Sequence, residues 1–165
     1  MKFNSMKEYF YKLNNTGYQL LMVPIILIIL YYSQLLADLA GRLVLDKAIE
    51  RVLLMALSGL CLAVLVLAQL LAKRKANAIA KEVGLGIKLE KLGAVLIRKM
   101  VALALAILLM PMALLLTGNG YFSIAFGVLL LWFFLQWPRP NRVCQLLKLR
   151  GDEKEMVITR GEAFK

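Results

Sequence analysis

Asp38, Arg42, Asp46, Lys47, Glu50 and Arg51 form the densest mixed-charge group in the chain. Ionisable clusters are where proton transfer, ion passage or partner recognition would be sought first. Asp38 and Arg42 lie four positions apart, a spacing that pairs them if the stretch is helical. A solvated loop explains this group more simply than a vestibule or a partner contact, because exposed ion pairs contribute little. A second group, Lys73, Arg74, Lys75, Lys88, Lys91, Arg98 and Lys99, is almost purely basic. Its chemistry is binding, to anionic lipid headgroups or to a partner protein.

Residues suited to catalysis are sparse. The chain has no His, which removes the Ser–His nucleophile, the bis-imidazole haem site and the ordinary His-based metal centre. Cys61 lies in an apolar run with no base in reach of the sequence pattern, and Cys144 lies beyond the last such run. A disulfide between them is not expected. Gly84-Leu85-Gly86 lacks both the preceding strand and the Lys of a phosphate-binding loop. Neither a catalytic residue, a metal nor a cofactor is expected, so the chain does not read as an enzyme.

The elements that carry these residues are dictated by composition. Of 165 residues, 61% are hydrophobic, and no soluble fold of that length hides so much apolar surface. Crossing the hydrocarbon core takes about 20 helical residues. Four segments qualify, over about 18–39, 51–71, 100–116 and 121–137. Each must be helical, because an unsatisfied backbone group in lipid costs several kcal/mol. The expected architecture is an all-α integral membrane protein, with residues 1–140 as a four-helix transmembrane domain and 141–165 as a short basic tail. The first apolar run, Leu20 to Leu36, is long for a signal peptide and reads as a retained helix. Pro24 falls in its first turns, and Pro111 predicts a kink in the third span.

Charge sets orientation. The net charge of +11 would suggest nucleic acid in a soluble protein. Here the basic residues flank apolar segments, and nucleic acid is not the expected partner. Eighteen of the 21 Lys and Arg lie before the first span, between the second and third, or after the fourth. The positive-inside rule then places both termini and the 73–99 connection in the cytoplasm, most simply of a bacterial inner membrane. Tyr9, Phe10, Tyr11 and Tyr18 before the first span, with Trp132, Phe133, Phe134 and Trp137 at the exit of the fourth, read as a cytoplasmic aromatic belt, and Tyr31, Tyr32, Tyr121 and Phe122 as an outer one.

The connections carry finer expectations. Gly118-Asn119-Gly120 is turn chemistry, predicting a tight antiparallel hairpin between the third and fourth helices. Residues 76–83 favour helix, so the second span projects beyond the bilayer until Gly84 breaks it. Leu89, Leu92, Val95, Leu96 and Met100 recur at helical spacing, predicting a helix that either lies on the membrane surface, the slightly favoured reading, or continues inward as the third span. Residues 1–12 suggest a separate interfacial helix. Val143, Leu147 and Leu149, then Gly151-Asp152, then Met156 to Thr159, suggest a β-hairpin; a partly helical tail is an equal alternative.

Small residues mark candidate packing faces. Gly59 with Ala63, and Ala102 with Ala106, are small-x-x-x-small pairs that let helix backbones approach closely, with Ser58 and Cys61 extending the first. The expected function is a non-catalytic membrane subunit or scaffold. It would contact lipids with anionic headgroups and join a second copy or another membrane protein. A small oligomeric channel or transporter is the alternative.

Overall fold

A computed structural model describes residues 5–33 and 47–159, and all regular structure among them is helical. Six helices follow one another: α1 (Met6–Tyr32), α2 (Lys47–Ile79), α3 (Leu85–Thr117), α4 (Tyr121–Leu135), α5 (Pro140–Leu147) and α6 (Asp152–Ile158). α1, α2 and α3 are each long and apolar enough to cross a membrane. α4 has 15 residues and qualifies only when counted with α5, from which it is separated by a 71° bend. Three to four crossings therefore fit the chain.

α1 begins well before the expected span, absorbing the proposed interfacial helix. Ser5 Oγ accepts the Glu8 amide at 3.2 Å, so Ser5-Met6-Lys7-Glu8 starts the helix much as a capping box does. Pro24 consequently sits inside α1 rather than in its first turns. α2 ends at Ile79, and after a short turn Gly84 takes a φ of 97°, a left-handed conformation that glycine adopts without a Cβ penalty, just before α3 begins. α3 then runs unbroken from Leu85 through Met100 to Thr117, so the amphipathic piece continues into the third span and is not a separate surface helix. Nothing between Ile87 and Met100 breaks a helix. Leu89, Leu92, Leu96 and Met100 are buried by protein instead of lying on lipid.

Three residues join α3 to α4. Gly118 has a φ of 69°, Thr117 Oγ1 accepts the Asn119 amide at 3.2 Å, and Asn119 Oδ1 accepts the Tyr121 amide at 2.9 Å. Both side chains serve backbone donors that the ends of the helices leave over.

The described chain forms two compact units that do not follow chain order. The first combines the chain up to Tyr18, Ala68–Met100 and the chain from Trp137 onward. Its core takes Met6, Tyr9, Phe10 and Leu13 from α1, Ala76 and Ile79 from α2, and Leu89, Leu92 and Leu96 from α3. Val143, Cys144 and Leu147 of α5, Leu149 and Val157 complete it. Tyr9 and Phe10 meet edge to face at 5.2 Å, so these two rings are core residues and not belt residues. Tyr11 and Tyr18 remain exposed. Each fully buried Leu or Phe in this core contributes about 1.5–3 kcal/mol.

The described tail is helical, which corrects the β-hairpin and agrees with the helical alternative. Val143, Cys144 and Leu147 share one helical face, and Pro140 occupies the first turn of α5, where it costs no hydrogen bond. Lys148 ends α5 with a φ of 53°, and the Leu149 amide donates to the Cys144 carbonyl at 3.0 Å. This is a Schellman-type stop that turns Leu149 back into the core. Asp152, Glu153 and Glu155 in the first turn of α6 suit its positive end. An isolated hairpin would have lacked such a core.

The second unit combines Gln19–Leu67 and Val101–Gln136. Leu103, Ala106, Ile107, Met110 and Leu114 are buried on α3, and Phe122, Phe126, Leu129 and Phe133 form a four-three-four stripe on α4. Cys61 Sγ donates to the Ala106 carbonyl at 3.5 Å, and the Tyr32 and Ser123 hydroxyls meet at 2.7 Å. Lipid is as apolar as leucine, so close packing and such polar contacts, not water exclusion, hold helices of this kind together.

Candidate functional site

The two small-residue pairs have different surroundings. Ala106 is buried, with its carbonyl against Cys61 of α2, and Ala102 is partly buried. They belong to packing inside the second unit. Gly59 and Ala63 are exposed, and a Cβ built on Gly59 meets nothing within 4 Å. Cys61 is buried on the opposite side of α2 and does not extend that face; Ser58 is intermediate. Ala56 does extend it, since positions 56, 59 and 63 are three and four apart and all exposed. Only 6% of the most apolar stretch of α2 is buried, against 50% for α3. α2 is the least covered of the three long apolar helices. Periodicity in the sequence did not separate these faces, because α2 is apolar on all sides.

The basic group is also divided. Lys73, Arg74 and Lys75 are exposed on the part of α2 belonging to the first unit, as is Arg98 on α3. Lys88 is 12% exposed and reaches Glu153 of α6 at 3.4 Å, tying the tail to α3. Lys91 meets Glu82 at 2.7 Å across the turn between α2 and α3. Lys99 is intermediate in exposure. Of the outer cluster, Asp38, Arg42 and Asp46 lie outside the described residues, as do the side chains of Lys47 and Glu50. Arg51 is exposed near the start of α2.

Among the described residues, no three His, Cys, Asp or Glu side chains gather as a metal site. Both cysteines are buried thiols, placed in different units. No family model, curated protein or solved structure matches this chain. What the molecule presents is a bare small-residue face on one apolar helix and a folded basic unit on the same chain. A face of that kind lets a second helix approach until backbones touch, while exposed lysines and arginines attract anionic surfaces.

Proposed function

We propose that the protein is a non-catalytic membrane subunit that associates with a second copy of itself or with a larger membrane protein through α2. The open Ala56–Gly59–Ala63 face carries this reading. Such a face gains nothing from lipid that a leucine would not gain equally, whereas it gains backbone contact from another helix. Four crossings with both termini in the cytoplasm are part of the proposal. Its support is the gathering of the N-terminal segment, the 73–99 connection and the tail into one unit, the three segments that hold most of the Lys and Arg. With that charge bias, a bacterial inner membrane is the proposed site, and α3 and α4 are proposed as antiparallel neighbours.

Gly59→Ile tests this reading, because it fills the open face without touching a packed neighbour. Native mass spectrometry of gently extracted particles should show assemblies larger than the 18.5 kDa chain for the wild type, and single chains for the variant. Thermal unfolding of the two proteins in detergent should coincide. Assemblies of unchanged mass and lifetime in the variant would remove α2 from the interface. A wild-type particle of a single chain would end the subunit reading.

A further inference from the structure

α5, α6 and the turn between them border an open surface cleft of about 530 Å³ within the first unit. Its α5 wall carries Asn141, Gln145 and Lys148, a stripe at helical spacing. Arg150 from the linker and Lys154 from α6 face them, over a floor that includes Cys144 and Leu149. No carboxylate lines it. The division of α6 explains why. Glu153 points to Lys88 and Val157 enters the core, which leaves Lys154 and Ile158 on the cleft side. Lys148, Arg150 and Lys154 make no ion pair among the described residues. Three cations are thus gathered with two amide side chains around one concave surface.

Lys148 adds a second observation. It holds a φ of 53° at the stop of α5, a position where glycine or asparagine is the low-cost residue. That conformation belongs to the helix stop itself, and it sets Lys148 at the edge of the cleft. Arginine presents a planar fork to phosphate oxygens, and lysine a compact charge. The cleft has room for a phosphate together with part of the group that it carries.

We propose that this cleft binds a phosphate ester, with Lys148, Arg150 and Lys154 on the phosphate and Asn141 and Gln145 on the group it carries. The ester comes either from a phospholipid headgroup or from a soluble phosphorylated molecule. The site belongs to the first unit and the α2 association face to the second, and its test does not depend on the oligomeric state.

Full-length protein in a maltoside detergent, which carries no phosphate, is titrated calorimetrically with phosphoethanolamine. A parallel preparation in the same detergent is supplemented with phosphatidylglycerol, and native mass spectrometry follows the lipid that stays bound. The comparison protein is K148G/R150Q/K154Q, in which Lys148→Gly also relieves the backbone and favours folding of the tail. Slow maleimide labelling of Cys144, which is 4% exposed, confirms that the tail is folded in both proteins. Saturable binding of either probe that weakens about tenfold or more in the variant, and falls with salt, supports the site. Binding of phosphoethanolamine indicates a soluble ligand or a detached headgroup, and retention of phosphatidylglycerol alone indicates the bilayer lipid. Absence of saturable binding to both probes, or equal binding by a folded variant, overturns it.

Discussion

Tyr9→Ala is expected to open the first unit while the long apolar helices stay folded. Tyr9 is fully buried, lies edge to face on Phe10, and has its ring 2.9 Å from where a Cβ on Gly93 would sit. It therefore fills the contact between α1 and α3 at a point where α3 has no side chain to take its place. Removing a buried aromatic ring costs about 3–5 kcal/mol, a large share of what a small unit holds in reserve. Cys144, in the same core, reports the opening. In a Cys61→Ser background, its maleimide labelling should accelerate about a hundredfold or more, since each 1.4 kcal/mol is about a factor of ten in the open population. Circular dichroism should retain most of the helix signal, because lipid or detergent still requires α2, α3 and the apolar part of α1 to satisfy their own backbones. Unchanged labelling would mean that α5 does not depend on the α1 aromatic for its burial.

Gly17→Ala should produce the next largest effect, by displacing Trp137. A Cβ on Gly17 would stand 2.8 Å from Trp137 Cη2 and 3.2 Å from Cζ3. The indole has little room to retreat. Its Nε1 donates to Asn14 Oδ1 at 2.8 Å, and its ring is 4.9 Å from that of Tyr18. Overpacking costs about 1–3 kcal/mol, and loss of the Asn14 bond adds about 0.5–1.5, offset in part by the better helix propensity of alanine. In a Trp132→Phe background, Trp137 is the sole indole, and its emission should move to the red as it enters water. Asn14→Leu should reproduce the shift without steric conflict. An unmoved emission maximum in Gly17→Ala would show that α1 yields instead of the indole.

Both variants act in the first unit, which was the least legible part of the chain. Its members lie far apart in sequence: Tyr9 and Phe10 precede the first span, Leu89 to Leu96 precede the third, and Val143 to Leu149 follow the last. Each piece, read locally, has a separate explanation as belt, surface helix or hairpin. The Val143, Cys144 and Leu147 spacing and the Ser5–Glu8 cap were nevertheless local signals of helix. Lys148, Arg150 and Lys154 count towards topology in the sequence, and only the fold of α5 on α6 draws them around one cleft.

What the sequence determined by itself was the class of protein and the location of its long helices. Apolar length has one solution in lipid, a helix that satisfies its own backbone, so composition and spacing were enough to locate the apolar stretches of α1, α2 and α3. Glycines at 84 and 118 marked the breaks between helices for an equally local reason, their tolerance of positive φ. Tertiary structure alone decided which faces are covered. An all-apolar helix carries no amphipathic stripe, so nothing in α2 announced that Cys61 turns towards Ala106 while Gly59 stays open. It also decided that three distant segments share one core, because burial is a property of neighbours, and neighbours remote in the chain leave no period for a sequence to display.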